Sequence, residues 1–271
     1  MHAWPEGAAW LAALRAGAVV PPLVPRVPLR FGEIRIGSVE PGLIRRAGLD
    51  RLQNESVPVL LADGAAADGW RVTGDLTHSL ARIAAQLREA GLAGAWRDEQ
   101  LLVANAAGTR LGTVERGAVR PLGVTTLAVH LVGQAPDGRF WIQQRAFDKA
   151  NDPGLWDTLM GGMVSAADTV DSALARETSE EAGLQVTDLR DLRRGGRVKT
   201  ARPSSDGGAA YVMEYIDWYT CTVPDGLAPV NQDGEVAQFV LMDAADMLAA
   251  MKRDEFTTEA ALILADAMGL P

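Results

Sequence analysis

Glu177, Glu180 and Glu181 crowd the end of the stretch GGMVSAADTVDSALARETSEEAGL, residues 161–184. Carboxylates at that density are donors for a hard divalent cation such as Mg²⁺ or Mn²⁺, and the stretch has no Cys or His to favour a softer metal. A solvated acidic face is the ordinary alternative for a Glu-Glu pair. The phase of the helix that must carry them argues otherwise. Thr169 suits an N-cap and Gly183 a C′ position, which predicts a helix from about Val170 to about Ala182. Its apolar stripe, Val170, Ala173 and Leu174, continues at the same spacing into Glu177, with Glu180 and Glu181 on the next turn. All three acids lie in the last two turns, where the helix dipole is negative and acids at these spacings repel by about a few tenths of a kcal/mol per pair. A bound cation offsets both effects.

The spacing carries a resemblance. Gly162, five residues, Asp168, seven residues, then Arg176-Glu177-Thr178-Ser179-Glu180-Glu181-Ala182-Gly183-Leu184 resembles the Nudix box, G-x5-E-x7-R-E-U-x-E-E-x-G-U with U aliphatic. Two positions depart from it: Asp168 stands for the first Glu and Thr178 for an aliphatic residue. The resemblance implies an α/β fold, the Nudix α/β/α sandwich with a mixed sheet. It implies metal-assisted hydrolysis of the P–O–P bond in a diphosphate compound, with Mg²⁺ or Mn²⁺ as cofactor. Glu177, Glu180 and Glu181 become metal ligands, the carbonyl of Gly161 or Gly162 a further one, and Arg176 the residue that orients the box carboxylates. Arg176 could instead be a surface residue pairing with Glu180 at i+4. The base that activates water is Glu177 or Glu235, the latter in NQDGEVAQF; a plain turn-flanking acid is the other reading of Glu235. Asp168, shorter by a methylene, is expected to reach Arg176 or an outer metal less well.

The remaining sequence must position that helix. The 271 residues are expected to divide into a small α+β module, 1–118, and, as the resemblance implies, a Nudix domain, 119–271. The first part holds 13 Arg and no Lys against 12 acids, a balance of +1, so the chain's net charge of −9 comes from −10 in the second. That balance argues against nucleic acid as a partner, though not against a small phosphorylated molecule, whose charge metal ions can offset. One cysteine, Cys221, permits no intrachain disulfide and fits a reducing compartment. No run of 18 apolar residues suggests a membrane span, and the opening residues read as a folded helix, not a signal peptide, so a cytoplasmic location is expected. A homodimer is expected from the family resemblance.

In the first part, an opening helix (about 7–16) precedes the proline-rich connector VVPPLVPRVP. LRFGEIRIGSV alternates as a strand, PGLIRRAG suits a short helix, DLTHSLARIAAQLREAG a longer one capped near Asp75 or Thr77, and QLLVANAAGTRLGTVER a hairpin turning at 105–108. In the second, VTTLAVHLVG and RFWIQQR form a hairpin, KANDPGLWDTLMGG leads to the box, YVMEYIDWYTCTV and EVAQFVLMD are strands, and two helices close the chain. TARPSSDGGAAY reads as a loop. His78 and His130 lack evident metal-binding partners and are expected to be structural.

More broadly, GLAGAWRDEQLLV, GVTTLAVHLVG, FWIQQRAFDK and DPGLWDTLMGGMV resemble the Nudix proteins related to the C-terminal part of thiamine pyrophosphokinases. That resemblance implies thiamine diphosphate or its oxidised forms as substrate, with Trp156, Asp157, Trp141 and Tyr215 as candidates to stack on or pair with a cationic heterocycle. Core packing is the ordinary reading of each of the four. Other readings are hydrolysis of nucleoside diphosphate derivatives such as ADP-ribose, a non-catalytic ligand sensor, and an isopentenyl diphosphate isomerase. The isomerase would require a cysteine ahead of the box, whereas Cys221 follows it.

Overall fold

The computed structural model describes residues 5–53, 59–62, 68–105, 109–149, 151–204 and 209–270. Parts of the expected 105–108 turn, the segment leading to the box and the 200–211 loop lie outside the described residues: 106–108, 150 and 205–208.

The first part comprises α1 (Pro5–Ala18), β1 (Val27–Phe31), β2 (Ile34–Val39), α2 (Pro41–Arg46), β3 (Leu60–Ala62), β4 (Trp70–Val72), α3 (Leu76–Glu89), β5 (Gln100–Ala104), β6 (Arg110–Glu115) and α4 (Arg116–Leu122). LRFGEIRIGSV makes two strands instead of one. Gly32 takes a φ of 55°, which a residue without Cβ adopts easily, and the chain folds back so that Phe31 pairs with Ile34. The sheet order is β2-β1-β4-β3. Asp75 caps α3 by accepting from the His78 N–H at 2.8 Å, and the helix buries Leu76, Leu80, Ile83 and Leu87 in a core shared with Leu29, Ile36 and Leu60. α4 runs across position 118, and its Ala118, Val119 and Leu122 join this same core.

The second part comprises β7 (Thr125–Gln134), β8 (Phe140–Arg145), β9 (Trp156–Asp157), β10 (Met160–Met163), α5 (Val170–Ala182), β11 (Arg190–Pro203), β12 (Tyr211–Thr222), β13 (Val236–Met242), α6 (Ala244–Lys252) and α7 (Thr258–Ala267). Its sheet runs β11-β12-β7-β8-β13, mixed because β12 is parallel to β7 while the other pairs are antiparallel. Alternation along β7 divides the layers: Val129 and Leu131 pack with Ala173 and Leu174 of α5, while Ala128 and Val132 share a core with α1, α6 and α7. The opening helix therefore packs with the second core. No helix among the described residues is long and apolar enough to cross a membrane.

One irregularity creates the site. β7 and β8 pair only at Gly133–Trp141 and Gln134–Phe140, and then part; β10 pairs with β7, and β9 with β8. The chain between β9 and β10 bridges a split sheet, and the functional residues gather where the halves separate.

Candidate active site

α5 enters through a reciprocal cap. The Thr169 hydroxyl accepts from Ser172 N–H at 3.1 Å, and Ser172 Oγ accepts from Thr169 N–H at 2.9 Å; Gly183 ends the helix at a φ of 64°. The phase places Ala173 and Leu174 in the core and brings Glu177 and Glu181 up to β10. The glycines of β10 permit that approach. A Cβ on Gly162 would lie 2.1 Å from the Glu177 carboxyl carbon, and one on Gly161 2.5 Å from the His130 ring.

Arg176 is the hub. Its Nε and Nη2 donate to Asp168 Oδ2 at 3.0 and 2.8 Å, and Nη1 donates to Glu177 Oε1 at 3.0 Å and Glu180 Oε2 at 2.8 Å. The shorter Asp168 thus reaches Arg176. Ser165 and Ser172 hydroxyls also donate to it, at 3.0 and 2.8 Å. Partial burial pushes the Asp168 carboxyl up, but Arg176, Ser172 and Ser165 outweigh it and hold the group below the ordinary carboxylate range.

Glu181 is 3% exposed and accepts from Gly161 N–H and Gln143 Nε2, both at 3.1 Å. Burial, with nearby Glu177, pushes its carboxyl up to about 8, against Lys149 and those hydrogen bonds. Burial also raises Glu177, aided by Glu180 and Glu235 and opposed by Arg176. A bound cation would stabilise the ionised form of carboxyls buried in this way. As they stand, no three acidic, imidazole or thiol side chains among the described residues converge into a closed metal cage. Glu177 and Glu180 turn towards Arg176, and Glu181 towards Gln143. The donor set is nevertheless all oxygen and fits a hard cation such as Mg²⁺, with Glu177, Glu180 and Glu181 as the residues that would hold it.

These groups open on a cavity of about 760 Å³. Sequence reading missed the cations of its lining, Arg97, Arg116, Arg120, Arg145, Lys149 and Arg202, which alternate with acids such as Glu99, Asp148 and Asp152, because they are scattered along the chain and no local spacing marks them. Arg145 is positioned by donating to the carbonyls of Asp152 and Asn151 at 3.2 and 3.0 Å, and Lys149 pairs with Glu235. Burial raises the Glu235 carboxyl, but Lys149 outweighs it and lowers the group overall. On the α7 side lie two further acids. Glu214 accepts from Thr126 Oγ1 at 3.0 Å, and Glu259 pairs with Arg202 at 2.9 Å. Burial, then Glu259, pushes the Glu214 carboxyl up to about 7.

Of the residues singled out in sequence, Arg176, Glu177, Glu180, Glu181, Gly161, Gly162, Asp157 and Glu235 line this cavity. Asp168 stands behind Arg176. Trp156 packs against the core shared with α1 and α7, Trp141 against the α5 core, and Tyr215 lies under Arg197 and Lys199; none of the three lines the cavity. His130 lines it, 7% exposed, with burial lowering its imidazole despite Asp157 and Glu259.

The chain is similar to several known proteins. The chain is 27% identical over 155 residues to Nudix hydrolase 20, chloroplastic, of Arabidopsis thaliana, covering 53% of this chain and 38% of that one. It is 28% identical over 152 residues to the isopentenyl-diphosphate Delta-isomerase of Streptomyces avermitilis, covering 56% and 74%. The chain spans under half the length of the first curated relatives it matches. Among solved structures, DR0079 from Deinococcus radiodurans superposes with a TM-score of 0.50 at 20% identity, covering 61% of this chain and 97% of that one, a likeness of fold. The NUDIX domain model matches residues 124–264, from the start of β7 into α7, and so takes in the split sheet, the glycine pair and the carboxylate helix: the chain belongs to the Nudix family.

Proposed function

We propose that this chain is a metal-dependent pyrophosphohydrolase that cleaves the P–O–P linkage of a small phosphorylated metabolite to a monophosphate. The observation that carries this reading is the arrangement of Glu177, Glu180 and Glu181 about the Arg176 hub and the glycine pair, at the edge of a cavity whose lining also includes Arg145 and Lys149. A bound Mg²⁺ or Mn²⁺ would neutralise phosphate oxygens and acidify a water. The protein holds the carboxylates in register through Arg176, and Arg145 and Lys149 meet the phosphate oxygens. Glu177 is the base best supported for taking the water's proton, since burial leaves its carboxyl more basic than usual; Glu235, engaged by Lys149, is the second candidate.

For the substrate we favour thiamine diphosphate or its oxidised derivatives. The acids Asp157, Glu214 and Glu259 give the cavity a wall suited to a cationic heterocycle. Nucleoside diphosphate derivatives such as ADP-ribose are the alternative, and a non-catalytic sensor is disfavoured by the complete glutamate set. The similarity to isomerases supports a second reaction on the same scaffold, but Cys221 is buried in the α5 core, away from the cavity, with burial pushing its thiol up to about 12. The same reading takes residues 1–118 as a module attached to a Nudix domain of residues 119–271, working as a cytoplasmic homodimer. Turnover of thiamine diphosphate, its oxo form, ADP-ribose and dinucleotide polyphosphates with Mg²⁺, assayed for monophosphate products, tests the proposal. Hydrolysis lost in Glu181→Gln is the expected result; no metal-dependent turnover of any of them would overturn it.

A further inference from the structure

His130 lines the cavity from β7, in register with Gly161 of β10, and its neighbours favour one ring nitrogen as the bearer of the proton. The Thr158 hydroxyl donates to the Met160 carbonyl oxygen at 2.8 Å, which uses its single hydrogen. His130 Nδ1 lies 2.9 Å from the same hydroxyl oxygen and 3.5 Å from Asp157 Oδ1. With the hydroxyl hydrogen directed to Met160 and a carboxylate as the other neighbour, Nδ1 faces two acceptors, an arrangement that favours the hydrogen on Nδ1. In a neutral imidazole Nε2 is then left with a lone pair.

That lone pair has no hydrogen-bond partner among the described residues, although the residue is 7% exposed. It is also left uncovered. A Cβ on Gly161 would lie over the ring, 2.5 Å from Cε1 and 2.7 Å from Nε2, whereas glycine keeps that edge open on the cavity that both residues line. The rest of the wall is of the same character. Thr126, Ala128 and His130 share one face of β7, Glu214 lies in register with Thr126 on β12, and Glu259 faces them from the start of α7. Along this wall the cavity offers the His130 ring and the Glu214 carboxyl as acceptors, with Glu259 engaged by Arg202.

We propose that His130 is a specificity-determining residue whose Nε2 accepts a hydrogen bond from an N–H or O–H on the non-phosphate group of the substrate, and that Thr158 fixes the tautomer required for this. The inference rests on the hydrolase reading for its kinetic consequence but not for its structural one. Substrates whose organic part donates hydrogen bonds, such as amino-substituted nitrogen heterocycles, are selected over diphosphates of hydrocarbons, because a group that cannot donate leaves a buried acceptor unpaired.

Two measurements on the full chain test it. Long-range ¹⁵N NMR correlation of the histidine ring reads the tautomer directly: Nδ1–H is expected for His130, and Thr158→Val should shift population towards Nε2–H. Addition of AMP should move the His130 Nε2 resonance in the direction of an accepted hydrogen bond, while inorganic phosphate should not. Kinetically, the ratio of kcat/KM for ADP-ribose or thiamine diphosphate over that for isopentenyl diphosphate should fall about tenfold in His130→Leu. An Nε2–H tautomer in the unmodified protein, or an unaltered selectivity ratio in folded His130→Leu, overturns the proposal. If His130→Leu does not fold, the NMR result on the unmodified protein and on Thr158→Val decides. Absence of all diphosphate turnover would instead refute the hydrolase reading, leaving the tautomer and the AMP response to judge His130.

Discussion

Gly162→Ala adds one methyl group at the point where α5 meets β10. The new Cβ would lie 2.1 Å from Glu177 Cδ, 2.4 Å from Oε1 and 2.5 Å from Cγ, whereas ordinary contact begins near 3.4 Å. The carboxyl carbon must therefore withdraw by at least about 1.3 Å. It is the free end of a flexible side chain, so the fold can comply, giving up the 3.0 Å bond from Arg176 Nη1. With both side chains partly exposed, that bond is worth about 0.5–1 kcal/mol, which lowers Tm by about 1–4 °C. The functional loss is much larger, because an ångström of misplacement in a catalytic group costs about 100-fold. Gly161→Ala is the comparison. Its Cβ meets the ring of His130, which is 7% exposed, tied to Thr158 and in register with Trp218 on β12, so nothing yields cheaply. Overpacking there costs about 1–3 kcal/mol and roughly 3–10 °C. Calorimetric Tm and kcat/KM with Mg²⁺, measured on both variants, separate the two effects. A Gly162→Ala protein within threefold of full activity, or as destabilised as Gly161→Ala, refutes the geometric argument.

Glu181→Gln should abolish metal-dependent turnover, by about 100-fold or more, while flattening the pH dependence of stability in chelator. The sign follows from its raised folded pKa of about 8 against an ordinary 4.5: the fold retains a proton that the unfolded chain releases, so stability of the metal-free protein falls as pH rises through that window. Urea titrations at pH 5 and pH 8 check this, and equal pH dependence in the two proteins would disprove it. Asp168→Glu should change kcat/KM by less than about threefold, since Asp168 already reaches Arg176, whereas Asp168→Ala should cost about 10- to 100-fold by releasing the hub. Cys221 should resist thiol reagents in the folded protein and Cys221→Ala should keep full turnover; rapid labelling with loss of activity would reopen the isomerase reading.

The carboxylate helix was legible because everything that defines it is local: the Thr169 cap, the Gly183 terminus and the acids at helical spacing all fall within one element. Asp168 was misjudged in reach, since a methylene lost in the side chain is recovered when Ser165 and Ser172 draw the loop onto Arg176, and backbone placement of that kind leaves no trace in spacing. β11 was missed for another reason. RDLRRGGRVKTARP lacks period-two apolar alternation because it is an edge strand, exposed through Gly195 and kinked by two irregularities in register. Its Gly-Gly is a demand of packing: a Cβ on Gly195 would lie 1.8 Å from the Trp218 ring. The lining cations and the acceptor wall were illegible for a third reason, being made of residues from six or more elements that only the split between β7 and β8 brings to one cavity.

The charge division along the chain takes on meaning in that cavity. Residues 1–118 carry a slight positive balance and the rest a strong negative one, and Arg97, Arg116 and Arg120 all come from the sequence before β7. The first part also braces the box loop itself. Ala166 N–H donates to the Gln100 carbonyl at 2.7 Å, Arg110 donates to the Ala166 carbonyl, and Leu101 bridges to Ser165, whose hydroxyl holds Asp168. A continuous chain of bonds thus runs from the β5–β6 hairpin through Ser165 and Asp168 to Arg176, and from there to Glu177 and Glu180. The N-terminal elements therefore meet the site twice, by supplying cations to the cavity wall and by bonding to the loop from which the glutamate helix starts.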